Sequence, residues 1–225
     1  MINIKQSFKF AFQFTVMDYN DKQVQIIDAA EKLFADKGFE GTSVRDIADE
    51  AGVNVAMISY YFGSKEKLLE ALFIYRATGT TQVLEGMLQN KELDPLQKVN
   101  TMIDYYIEKF HNQHCFHKIM MREQVGNRKS ATSELIYEFK KRNQLLVKQL
   151  IHEGQKSGDF NKNIDIPILM ATLIGTVSHL VATQHFYRVI NNLQDMPDEQ
   201  FQKLMKKKIG THLKFLFKAT LTNEK

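Results

Sequence analysis

Residues 26–72 read IIDAAEKLFADKGFEGTSVRDIADEAGVNVAMISYYFGSKEKLLEAL, and this stretch decides the fold. The helical pattern starts just upstream at Asp21. Val24, Ile27, Ala30, Leu33 and Phe34 share one stripe, while Lys22, Asp28, Glu31 and Lys32 face outward. Gly38 ends this helix, and Lys37 in its last turn suits the helix dipole. Ser43 is a good N-cap for a second helix, with Asp46 three residues on as an acidic variant of the capping box. That helix turns Ile47, Ala48 and Ala51 inward and stops at Gly52. A third runs from Val55 to Tyr61 and ends at Gly63. Ser64 then caps a fourth, with Lys65, Glu66 and Lys67 in its first turn and Leu68, Leu69, Leu72 and Phe73 behind. Two short helices around a tight glycine turn are a helix-turn-helix. Gly52 has a physical task there, because a β-carbon would oppose the left-handed backbone that the steep hand-over needs.

Working outward, the first 17 residues carry Lys5, Lys9 and a short aromatic stretch. They lack the long apolar core and small-residue cleavage site of a signal peptide, so they read as a flexible extension, with Met17 an alternative start. Beyond residue 80 the chain is a train of amphipathic helices. Breaks are expected near Leu93-Asp94-Pro95, Gly126-Asn127, Ser157-Gly158-Asp159, Ile164-Asp165-Ile166-Pro167 and Gln194 to Asp198. The segment 166–190 is apolar on several sides, and 199–221 carries Phe201, Leu204, Met205, Ile209, Leu213 and Phe217; two such neighbours suggest a dimer seam.

With 3 Pro and 11 Gly in 225 residues, turn signals are too sparse for an all-β protein. The reading is all-α. The single cysteine, Cys115, excludes an intrachain disulfide and fits a reducing cytoplasm. No apolar run reaches the roughly 18–20 residues of a membrane span. The net charge of +4 is unevenly placed. Residues 18–80 hold 7 Lys/Arg against 11 Asp/Glu, a net of −4, and residues 81–225 hold 21 against 15, a net of +6. An acidic DNA-binding head must gather its few cations on one face, because phosphate neutralisation supplies most of the affinity. Asp28, Glu31, Asp36, Glu40, Asp49 and Glu50 are then expected on the side away from DNA.

Taken together, Ala29-Ala30, Leu33-Phe34, Gly38, Gly41-Thr42, Ile47-Ala48, Ala51-Gly52-Val53, Ile58, Tyr61-Phe62, Lys65 and Leu68-Leu69 follow in one ungapped order that resembles the DNA-binding domain of the TetR family. The resemblance implies a helix-turn-helix domain over residues 18–80, with the motif proper at 43–62. It also implies a larger helical effector-binding and dimerisation domain over residues 81–225. The implied function is a ligand-responsive repressor: a homodimer, paired through residues 166–190 and 199–221, that leaves a near-palindromic double-stranded operator when a small apolar or amphipathic effector binds. By position, Ser43 caps the second helix and Arg45 reaches a guanine or a phosphate. Asn54, Val55 and Ser59 face base edges, Tyr60 and Tyr61 meet phosphates, and Lys65 pins a phosphate. The chain departs from the family in placing Ser59 where many relatives have a tyrosine, and it has no Lys or Arg between Asn54 and Phe62. Thymine-methyl contacts from Val55, Ala56 or Met57 then carry weight, and an A·T-containing half-site core is expected. Tyr60, Tyr61 and Phe62 packing under the fourth helix is the plainer alternative.

Other clusters remain open at this level. His111, His114, Cys115 and His117 have helical spacings that suit a zinc or copper site, or are ordinary surface and pocket histidines. Met102, Tyr105, Tyr106, Phe110, Phe116, Met120, Met121, Phe139, Met170 and His179 either line an apolar effector pocket or are plain core. Lys206-Lys207-Lys208 reads as a solvated face. No P-loop, Rossmann glycine pattern or nucleophile signature is present, so neither enzymatic activity nor a cofactor is expected. Two further readings stay alive: an interaction module on the same fold that does not bind DNA, and a metal-responsive regulator.

Overall fold

The structure, a computed structural model, describes residues 19–125 and 131–222. The 1–17 extension and the break expected at Gly126-Asn127 lie outside the described residues. Among those residues there are ten α-helices and no strand: α1 (Asp21–Lys37), α2 (Val44–Glu50), α3 (Val55–Phe62), α4 (Lys65–Gln89), α5 (Pro95–Asn112), α6 (His114–Val125), α7 (Ala131–Ser157), α8 (Ile166–Ala182), α9 (Gln184–Ile190) and α10 (Asp198–Leu221).

The chain divides into two compact units. One runs through Gln82 and takes in Lys118–Lys140; the other comprises Val83–His117 and Lys141 onward. Residues 118–140, which lie within the 81–225 stretch, group with the first unit.

In the first unit, α1 packs on α2 and α2 on α3. Ile26, Ile27, Ala30, Phe34, Ile47, Ala48, Ile58, Leu68, Leu72 and Phe73 are buried. Each full-sized apolar side chain among them contributes about 1.5–3 kcal/mol by leaving water. The starts are capped from the sequence: Asn20 forms a capping box with Gln23, and Ser43 with Asp46. The Ser43 amide donates to Asp46 Oδ2 at 2.8 Å, and the Asp46 amide donates to Ser43 Oγ at 3.0 Å. Gly52 (φ 59) and Gly63 (φ 80) take the left-handed backbone that the turns flanking α3 require. At the far end of α1, Arg122 Nη1 donates to the carbonyls of Phe34 (3.1 Å) and Ala35 (2.8 Å), where a cation meets the negative end of the helix.

In the second unit, α5, α8 and α10 pack on one another around Val99, Ile103, Ile107, Leu173, Val177, Ile209, Leu213 and Phe217. Asp94 caps α5 with Pro95 at its first position, and Asp165 caps α8. Phe160 lies against Gly154, where an added β-carbon would sit 2.2 Å from the ring, so the close approach needs glycine.

Two further breaks interrupt the expected helices. The stretch from Pro95 to Val125 is not one helix; Gln113 (φ −122, ψ 39) separates α5 from α6. Likewise, 166–190 bends by 73° between α8 and α9 at Thr183, whose hydroxyl donates to the His179 carbonyl at 2.8 Å. Neither site holds a Gly or Pro. A hydroxyl that bonds back to the preceding turn competes with the ladder without announcing itself in the hydrophobic pattern. No single helix among the described residues is long and apolar enough to cross a membrane.

Candidate nucleic-acid interface

The third helix is sorted by burial. Ile58 is buried and anchors it, while Asn54, Val55, Ala56, Ser59 and Tyr60 are exposed and Met57 and Tyr61 are half-buried. Tyr60 is 82% exposed, with its ring edge-on to Tyr61 at 5.1 Å between centroids. Tyr61 in turn meets Phe62 at 6.4 Å, so the aromatic run grades outward from Phe62 to Tyr60. An exposed phenol at the end of a short helix is wasted on packing. It can reach a phosphate or a base edge.

Asn54 does two things. Its Oδ1 accepts from the Ala56 amide at 2.9 Å and so caps α3, and this leaves its exposed amide NH2 group as the part able to meet DNA. The sequence reading saw only the second role.

Lys65, expected at a phosphate, makes local contacts in the free protein. Its ammonium donates to the carbonyls of Phe39 (2.9 Å) and Thr42 (3.0 Å) and lies 4.2 Å above the Phe39 ring. The lysine expected to pin a phosphate is committed to the turn between α1 and α2. It fixes the start of α4 against that turn.

Arg45 is the converse. Lys32 pairs with Glu50, Lys37 with Asp46, Lys67 with Glu70, and Arg76 with both Asp28 and Glu31. Lys22 bonds Gln25. Among the described residues of this head, Arg45 alone of the basic side chains has neither ion pair nor hydrogen bond, and it is exposed. The acidic excess is thus largely absorbed: Asp28, Glu31, Asp36 and Glu50 each face a cation, with Lys118 serving Asp36 at 3.6 Å. Asp46 is held below the usual carboxylate range, first by the Ser43 hydroxyl and then by its amide. Local pairing, which a net charge conceals, leaves one exposed cation beside α3.

In the second unit, a shallow, solvent-open groove lies between α5, α8 and α10, with Gln184 of α9 at its edge. Val177, Val181, Phe201 and Met205 supply apolar walls, with His111 and Lys206 among the polar residues. None of the ten pocket residues named from sequence lines it. Met102, Tyr106 and Phe110 are buried in the core; Phe116 and Phe139 are buried too. Tyr105, Met120 and Met170 are half-buried, and Met121 and His179 are exposed. Those residues were chosen by type, and core and pocket walls use the same types. The groove's own residues carry a signal, the Phe201, Met205, Ile209 stripe, on the same segment expected at the dimer seam.

The four residues of the His/Cys cluster differ in exposure. The break at Gln113 disperses the histidines: His111 is half-buried, His114 exposed and His117 buried. No group of three metal-capable side chains forms among the described residues.

A capped, outward-facing second helix of a helix-turn-helix on an all-α chain defines a DNA-binding regulator. The tetR family of bacterial regulatory proteins matches residues 26–72, and the tetracyclin repressor-like C-terminal domain matches residues 95–211. The chain belongs to the TetR family. That family is one of DNA-binding transcriptional regulators and not of enzymes. Over 137 residues it is 33% identical to a probable HTH-type transcriptional regulator, YttP, of Bacillus subtilis, covering 60% of this chain and 66% of that protein. It is 25% identical over 197 residues to a probable acrEF/envCD operon repressor of Escherichia coli, covering 80% and 90%. Its fold is similar to that of the ketosteroid transcriptional regulator KstR2 of Mycobacterium tuberculosis, with a TM-score of 0.69, 19% identity and coverage of 92% and 98%.

Proposed function

We propose that this regulator is a homodimeric repressor that holds a near-palindromic operator through Arg45 and the exposed face of α3, and releases it on binding a small apolar or amphipathic effector. The observation that carries the reading is the sorting of α3: Ile58 in, and Asn54, Val55, Ser59 and Tyr60 out, beside Arg45, the one basic side chain among the described residues of the head with neither ion pair nor hydrogen bond. Ser43, Ala56, Met57 and Tyr61 complete the surface, with Ser43 capping α2 and Lys65 bracing the frame. Phosphate contacts from Tyr60 and Arg45 would set register, while Asn54, Ser59 and the methyls of Val55 and Ala56 would read an A·T-containing core.

Two such heads on a two-fold axis enter successive major grooves about 34–36 Å apart. Exposed apolar side chains supply the pairing surface: Ile168 on α8, Phe186, Val189 and Ile190 on α9, and Phe215 on α10. The groove between α5, α8 and α10 has the apolar walls and few polar groups of a small-molecule site. By linkage, effector and operator weaken each other's binding by the same factor.

The test is a gel-shift titration with the duplex upstream of the protein's own gene, against a shuffled duplex. A shift at concentrations at least about a thousandfold lower for the upstream duplex is the expected result. Equal binding of both duplexes, or of neither, would replace the repressor with an interaction module on this fold.

A further inference from the structure

His117, at the start of α6, is only 9% exposed and lies flat on Phe110, with ring centroids 3.5 Å apart and planes 5° from parallel. Neither of its ring nitrogens has a hydrogen-bond partner among the described residues. Gln113, whose carbonyl accepts from the His117 amide at 3.1 Å, buries its Oε1 one turn earlier, also without a partner. Burial, helped by the charge of Lys109, pushes the imidazole down to about 3, so the ring is neutral at physiological pH. It then offers one N–H and one lone pair.

Packing does not explain this pair of side chains. A phenylalanine would stack on Phe110 as well as His117 does, without taking two polar atoms out of water for nothing. Folded proteins leave few buried polar atoms unpaired, and those they do leave call for an explanation. Three such atoms one helical turn apart, in the unit that holds the groove, form a small hydrogen-bonding station. Ile107 and His111 of α5 line the groove and Phe110 carries the stack, so both lie at the same end of α5. The fourth orphan, Asn100 Oδ1, sits about 15 Å up α5 from Phe110 by helical rise and takes no part.

We infer that His117 and Gln113 form the polar anchor of the effector site, and that the effector is an uncharged molecule bearing a hydroxyl on an apolar body. This rests on the ligand-responsive reading above. A hydroxyl accepts from the imidazole N–H and donates to Gln113 Oε1. A carboxylate offers acceptors only, and two of the three orphaned atoms are acceptors already.

Small probes test the anchor apart from the unknown body: p-cresol supplies the hydroxyl, toluene removes it, and benzoate replaces it with an anion that Lys109 would favour. With the full chain, p-cresol at millimolar concentration is expected to move the His117 ring-nitrogen NMR resonances. It is also expected to bind about tenfold tighter than toluene or benzoate, the worth of one buried hydrogen bond. In His117→Phe, which keeps the stack, that preference disappears while the melting temperature holds or rises. Unmoved His117 resonances, a preference that survives in His117→Phe, or tighter binding of benzoate overturns the inference. Should His117→Phe not fold, the parent resonances decide alone. A gel shift run in parallel keeps the two ideas apart: normal operator binding with a silent His117 removes the anchor and leaves the regulator, whereas loss of operator specificity removes the regulator itself.

Discussion

Lys65 and Thr42 are joined across the head by a 3.0 Å hydrogen bond from ammonium to backbone carbonyl. With the companion bond to Phe39, this ties the first turn of α4 to the turn that launches α2. Arg45, in the first turn of α2, is exposed with no partner in the described head. The two cations therefore predict different phenotypes. Arg45→Ala should weaken operator binding by about tenfold or more, and flatten its dependence on salt if the lost contact is a phosphate. Lys65→Met should lower the melting temperature and weaken binding while leaving the salt slope near that of the parent. Titrations at several salt concentrations read both. A flattened slope for Lys65→Met would return that residue to the phosphate.

Glu31 is 6% exposed and its carboxylate is held by Arg76 Nε at 2.6 Å. Removing the guanidinium strands a buried charge. Arg76→Ala is expected to destabilise the protein by about 3 kcal/mol, while Arg76→Ala with Glu31→Leu recovers most of that loss. Urea denaturation of the single and double variants checks this. Equal stability of the single variant and the parent would mean that the carboxylate finds water instead.

Phe186 and Phe215 are 64% and 65% exposed, which is unusual for phenylalanine on a folded surface and supports their burial between subunits. Phe215→Asp should shift the molar mass measured by light scattering from dimer towards monomer. It should also cost most of the operator affinity, since one head alone engages half the contacts. A variant that stays dimeric moves the seam elsewhere.

His117 makes stability depend on pH in a definite sense. Burial holds its folded pKa near 3, while the unfolded chain takes up a proton near 6.5. Above 6.5 both states are neutral there and nothing is lost. As pH falls below 6.5, the unfolded state binds the proton and the folded state refuses it, so stability drops by roughly 2 kcal/mol by pH 5. His117→Phe removes that component. The difference between the two melting curves from pH 7.5 to 5 isolates it from the carboxylates, and parallel curves would show that the ring is protonated while folded.

The sequence alone determined the elements of the head and the family. Glycines at 38, 52 and 63, the cap at Ser43, and apolar stripes act through near neighbours along the chain, so a linear pattern records them. The outward face of α3 followed from its register, with Ile58 inward. Tertiary structure alone decided which cations are spent. Lys65 and Arg45 look alike along the chain, and only folding brings the Phe39 and Thr42 carbonyls to one and leaves the other exposed. The same holds for the groove and for His117: aromatic and methionine side chains serve core and cavity equally, and partners distant in sequence determine which. Local order is written in spacing, whereas pairing and burial are settled by which helices meet.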